Sequence, residues 1–297
     1  MQVQCVKNSD KNFPSKLRNV KPQVGKIWYR GRWPASAEAT AGKDKNIFYK
    51  CAAVVGTRRM SRYGRQVVEE VVPRLVTAGY TIVSGLMYGV DQLAHKETLR
   101  AGGKAIAVLG YGITNKNEEE AWKLEQEIEK SGGLVLSEYE GESVSQMWMF
   151  PQRNRIVVGL SDIVVIVEGG IKSGSLLTAR MARKAGKAVY AVPGSIFSTT
   201  SEGTNELIAR GEATPLTLSE LAKLTGTSND QGGSQSVIAL VAGEREIYES
   251  LKIVGPQSTN ELGRHLTTPM KEILTLLSQM ELKGLAVNER GVWRITG

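Results

Sequence analysis

Apolar residues fall into short continuous runs along this chain, separated by longer stretches of helical spacing. Residues 47–55, 80–83, 105–109, 134–136, 163–167 and 188–192 are runs of strand length, and 188–192 is the last clear one. Between them, residues 63–78, 91–100, 118–130, 154–160 and the stretch from Leu176 onward carry helical periodicity, with Pro73 predicting a kink or an early end to the first. Strands that are apolar on both faces, alternating with helices, predict a mostly parallel sheet covered on either side, an α/β fold.

The two ends of the chain read differently. Residues 1–45 are polar and basic without sustained periodicity, apart from the apolar island Ile27-Trp28-Tyr29, a strand or a plug against the main domain. The stretch GTSNDQGGSQS from Gly226 holds almost nothing apolar and predicts a linker over 226–237. Beyond it, helical patterns at 244–253, 256–265 and 269–283 precede two short strands, 285–288 and 292–295, around Glu289-Arg290-Gly291. Three helices and a hairpin predict a small winged helix-turn-helix domain over 238–297, leaving 46–225 as the main domain.

Composition narrows the classes. At 297 residues, 41% hydrophobic and 23% charged, the chain has the make-up of a globular protein. No apolar run approaches the ~20 residues that span a bilayer, and the first residues lack a signal-peptide core. A cytoplasmic protein with no membrane partner is the expectation. Cys5 and Cys51 have no metal-ligand spacing, so no metal is expected. The net charge of +8 is uneven: residues 1–66 hold 15 Lys/Arg against 3 Asp/Glu, a net of +12, so the remainder sums to −4. Such a front half favours a polyanionic partner, with a merely solvated face as the alternative.

The glycine and serine turns converge. Gly56, Gly85, Gly110, Gly169 and Gly194 each follow the carboxyl end of a predicted strand, the edge where open α/β sheets bind ligands. Most informative is DIVVIVEGGIKSGSLLTAR, residues 162–180, where a buried strand feeds a glycine turn, Lys172, Ser173-Gly174-Ser175 and a helix start. Unpaired N–H groups and the helix dipole make such a joint an anion site. No GxGxxG follows the first strand and no GxxxxGK[ST] occurs, which argues against dinucleotide and P-loop binding and calls for no cofactor. Catalysis has little support: His95 and His265 are the only histidines, Ser84, Ser173 and Ser175 have no evident base, and turn or capping roles account for Asp91 and Glu168. Cations are plentiful at the crevice, namely Arg58, Arg59, Arg62, Arg65, Arg153, Arg155 and Lys172. Tyr63, Tyr88, Tyr111 and Phe150 are interleaved with them, packing being the role expected of Phe150. Cations for a backbone and rings for bases suit single-stranded nucleic acid.

These residues also carry a resemblance. VVGTRRMSRYG, IVSGLMYGVDQLAH, AIAVLGYG, LSEY, FPQRNRIVVGLSD, VVIVEGGIKSGSLLTAR and AVPG followed by SEGTNELIARG resemble the DprA/Smf family in order and spacing over about residues 25–220. The resemblance implies a Rossmann-like domain, single-stranded DNA binding, a homodimer, loading of the RecA recombinase during natural transformation, and no enzymatic activity. It places the DNA pocket at the strand-end loops, with Arg58 matching the arginine of the first-loop motif; together with the crevice reading, the expected site is Gly56, Thr57, Arg58, Arg59, Ser84, Gly85, Tyr88, Gly89, Arg153, Asn154, Arg155, Lys172, Ser173, Gly174 and Ser175. Two departures stand out: Met87-Tyr88 replaces the family's Ala-Arg, and the loop GYGITNKN is short, with Lys116 in place of its basic residue. Two rival readings remain, an enzyme resembling the LOG phosphoribohydrolases and a winged-helix transcriptional regulator. Against the first, no catalytic glutamate follows Glu168-Gly169-Gly170 at the required spacing.

Overall fold

The N-terminal segment does not stand apart. In the computed structural model it supplies strands β1 (Gln4–Lys7) and β2 (Lys26–Gly31) of the main sheet, with the single-turn helix α1 (Ser15–Arg18) between them. Described residues are 3–34, 46–116, 118–226, 242–266, 268–283, 285–289 and 291–295. Phe13, Leu17, Val24 and Ile27 are fully buried. Scattered singly, they show no periodicity in the sequence, yet each enters the core. Arg30 on β2 is buried too and pairs with Glu125 and Glu129, the latter at 3.1 Å.

The alternating elements follow in order. They are β3 (Cys51–Val55), α2 (Arg62–Thr77), β4 (Thr81–Ser84), α3 (Val90–Arg100), β5 (Ala105–Val108), α4 (Glu119–Lys130), β6 (Leu134–Ser137), α5 (Met149–Leu160), β7 (Ile163–Ile166), α6 (Gly174–Lys184) and β8 (Ala188–Ala191). Beyond the last expected strand lie α7 (Glu202–Ala209), β9 (Thr214–Pro215) and α8 (Leu218–Thr225). The first predicted strand is shorter than its apolar run, because Asn46 turns the chain: its carbonyl accepts from Tyr49 N at 2.8 Å and its side chain from Phe48 N at 3.0 Å. Nor does Pro73 end α2. It forgoes one backbone bond, while Val68, Val71, Val72 and Leu75 on either side of it are buried and hold the helix down.

The strands form a nine-stranded sheet in the order β1-β2-β6-β5-β4-β3-β7-β8-β9. From β6 to β9 all neighbours are parallel; β2 on β6 and β1 on β2 are antiparallel. Ala53 lies opposite both Val83 and Val164, so β3 is central. Its side chains alternate between two cores: Cys51, Ala53 and Val55 face one, Ala52 and Val54 the other. This is a Rossmann-like, doubly wound α/β sheet. The chain builds outward from β3 to β6 on one side, then returns to β3's other side with β7. The β3/β7 boundary is therefore the point where strand order reverses, and where such sheets open a crevice.

Contact clustering divides the chain into two compact units, 1–229 and 230–297. The predicted linker, 226–237, lies outside the described residues except for Gly226. The second unit contains α9 (Ala242–Val254), β10 (Gln257–Ser258), α10 (Thr259–His265), α11 (Met270–Leu282), β11 (Ala286–Glu289) and β12 (Val292–Ile295). Its three strands are ordered β10-β12-β11, and Ser258 with Glu261 forms a capping box at the start of α10. Ile247, Leu251, Leu262, Ile273, Leu277, Met280 and Trp293 fill its core. This is a winged helix-turn-helix.

Candidate functional site

The loop after β3 is pinned from two sides. Thr57 N donates to the Glu168 carbonyl at 2.8 Å, and Val90 N donates to the Thr57 carbonyl at 3.3 Å. Gly89 caps α3 with φ at +89°, and a Cβ there would stand 2.5 Å from the Thr57 oxygen. Only glycine allows that approach, which brings the β4 and β3 loops together. Opposite them, the loop after β7 ends in Ser173, the N-cap of α6. Its Oγ accepts from Ser175 N at 3.3 Å and lies 2.8 Å from Ser175 Oγ.

Between these loops lies a cavity of about 650 Å³. Gly56, Thr57, Arg58, Arg59, Gly85, Arg153, Asn154, Lys172, Ser173, Gly174 and Ser175 all line it, so the structure brings together most of the residues nominated from sequence. Arg58 is exposed, and its guanidinium lies 5.5 Å from the Phe150 ring centroid. Among the described residues it has no carboxylate partner. Glu168 is occupied elsewhere, accepting from Ser61 N at 2.9 Å, Ser61 Oγ at 2.5 Å and Thr200 Oγ1 at 3.1 Å. Asp91 accepts from Gly85 N at 3.1 Å. Burial pushes its carboxyl up to about 6, against the pull of Arg153.

Arg153 and Arg155 have different duties from those expected of free cations. Arg153 is buried, and Nη1 donates to the carbonyls of Gly85, at 2.6 Å, and Val108. Desolvation lowers its affinity for a proton, partly offset by Asp91. It braces the ends of β4 and β5; a Cβ on Gly85 would meet its guanidinium at 2.5 Å. Arg155 does not line the cavity. It grips Glu138 with two bonds of 2.6 and 2.7 Å and donates to the Pro22 carbonyl at 2.9 Å. The sequence shows that α5 carries arginines but not which carboxylate a distant strand end supplies.

Four further nominees also lie off the cavity lining, among them Gly89, the cap of α3. Ser84 is fully buried and donates to the Val54 carbonyl at 2.7 Å, tying β4 to β3. Tyr88 is 62% exposed beside the site. Lys116 is exposed, its ammonium 5.4 Å from the Trp122 ring centroid. His95 is buried, and burial lowers its pKa to about 3, so its imidazole is neutral.

Met87, Met147, Pro151, Val157, Leu177 and Thr178 also line the cavity without having been nominated. Pro151 among them was hidden by one boundary. α5 begins at Met149, ahead of the predicted residue 154, so Phe150, Asn154 and Val157 share one helical face. Phe150 does pack, against Gly110, where an added Cβ would lie 2.7 Å from its ring. It also carries Arg58.

A doubly wound α/β sheet whose switch point sets a serine-capped helix start opposite an arginine with no carboxylate partner among the described residues has the make-up of an anion site. Residues 4–225 match the family model for DNA recombination-mediator protein A, and the chain belongs to that family. It is 40% identical over 187 residues to DNA processing protein DprA of Bacillus subtilis, covering 62% of this chain and 63% of that protein. To protein Smf of Escherichia coli it is 42% identical over 159 residues, covering 54% and 42%. The match thus spans less than two thirds of either relative. Among solved structures, DNA processing protein A of Streptococcus pneumoniae superposes with a TM-score of 0.64 at 31% identity, covering 75% of this chain and 74% of that one. That of Helicobacter pylori, whose structure concerns its single-stranded DNA binding mode, gives 0.63 at 28%, covering 76% and 95%.

Proposed function

We propose that this chain is a cytoplasmic single-stranded DNA-binding protein that protects incoming DNA and loads the RecA recombinase in natural transformation and recombination, working as a homodimer and without catalysis. The observation that carries the binding reading is Arg58. Its guanidinium has no carboxylate partner among the described residues, rests on the Phe150 ring and faces the Ser173–Ser175 turn across the cavity. A phosphate there meets a fork donor on one side and helix-start N–H groups on the other, while bases find an apolar wall. Family membership and the single-stranded DNA binding described for the Helicobacter pylori relative support the same reading; RecA loading and the homodimer rest on the family resemblance.

A salt titration on single-stranded and duplex DNA of one sequence tests it. Single strands are expected to bind better, with affinity falling by a log–log slope of about −0.7 for each phosphate neutralised. A flat salt response, or a preference for duplex, would count decisively against it.

A further inference from the structure

The cavity lining has two chemistries. Arg58, Lys172 and the Ser173–Ser175 turn supply cations and N–H groups. The face of α5 is apolar, with Phe150, Pro151 and Val157 around a single amide, Asn154. That amide is held in one orientation. Arg153 Nε donates to Asn154 Oδ1 at 3.1 Å. A guanidinium has no acceptor, so a flipped amide would set N–H against N–H. Nor can Arg153 follow a different orientation, since it is buried and tied to the Gly85 and Val108 carbonyls. One lone pair of Asn154 Oδ1 is therefore committed and the orientation of the amide is fixed. Its Nδ2 has no partner among the described residues, so a half-buried group lining the cavity offers two free donors against one remaining lone pair.

We infer that Asn154 reads the edge of an unpaired base drawn into the cavity, its free Nδ2 donors favouring a carbonyl oxygen over an amino group. The inference rests on the single-strand reading above and adds which part of the nucleotide meets which part of the lining. The phosphate lies against the cations and N–H groups, the ring covers the apolar face of α5, and the base edge ends at Asn154. A cavity of about 650 Å³ is of the size that takes one small ligand, as a single nucleotide is. Thymine and cytosine are the discriminating pair, because their rings match in size while one carries O4 and the other an N4 amino group.

The test measures binding of the full chain to oligo-dT, oligo-dC and a fully abasic strand of equal length. Wild type should favour oligo-dT over oligo-dC by about threefold to tenfold, the range of one hydrogen bond. Asn154→Asp keeps an oxygen for Arg153, so its melting temperature should hold, but it turns a second oxygen toward the base. Its dT/dC ratio should fall to one or below, and general repulsion by the added charge cancels in that ratio. Asn154→Ala should weaken binding to oligo-dT and leave the abasic strand unaffected. A ratio unmoved by Asn154→Asp, or an Asn154→Ala loss that persists on the abasic strand, overturns the inference while leaving single-strand binding intact. Failure of wild type to bind any strand overturns the underlying reading as well.

Discussion

Arg58 and Arg155 are both arginines at the carboxyl edge of one sheet, and they should answer mutation in opposite ways. Charge-assisted contacts of an uncommitted guanidinium are worth about 1.5–3 kcal/mol. Arg58→Ala should therefore weaken single-strand binding by about tenfold to a hundredfold at an unchanged melting temperature, and Arg58→Lys should recover only part of it. Normal affinity in a folded Arg58→Ala protein would remove Arg58 from the site. Arg155→Ala instead leaves the mostly buried Glu138 without its two-pronged partner. It should cost roughly 3 kcal/mol of stability, seen in denaturant melts, while the folded fraction binds DNA normally. Asp91 supplies a pH test. Its carboxyl is raised from 3.8 to about 6, so the stability tied to its protonation is full below pH ~4 and is lost as pH rises through about 6. The melting-temperature advantage of wild type over Asp91→Asn should shrink across that window. Because His95 is present in both proteins, its opposite dependence cancels in the difference; an advantage that grows with pH would contradict the raised carboxyl.

At the scale of elements, the alternation of apolar runs made the central strands and their covering helices legible, since both faces of each strand are buried. Of the five strand-end glycines, Gly56 and Gly85 line the cavity, while Gly110 packs against Phe150 and Gly194 against Ser201. What stayed hidden has physical causes. β1 and β2 owe their place to single buried residues such as Phe13 and Leu17, and to an arginine whose partners lie far along the chain. The start of α5 was lost because Pro151 sits in its first turn, where proline is tolerated. That error concealed the shared face of Phe150 and Asn154. Free and committed cations look identical in a sequence, so Arg153 and Arg155 were nominated alongside Arg58. Only the fold shows which guanidinium hydrogens are already spent.

At the scale of the whole molecule, the two units should separate in function. Deleting residues 230–297 is expected to leave single-strand affinity within about tenfold, or 1.4 kcal/mol; a hundredfold loss would make the winged helix a primary DNA site. Removing residues 1–45 is a different matter. It strips two strands from the sheet and leaves Glu125 buried without Arg30. Such a chain should fail to melt cooperatively, whereas a basic arm outside the fold could be cut away with no change in the melting curve. The N-terminal strands matter for one more reason. With β1 and β2 laid over β6, the margins of the sheet become β1, which ends in Lys7, and the two-residue β9, which ends in Pro215 and so has no N–H to offer there. A charged margin and one cut short by proline are poor templates for another extended segment. Edge-to-edge pairing of two copies through these strands is thereby disfavoured.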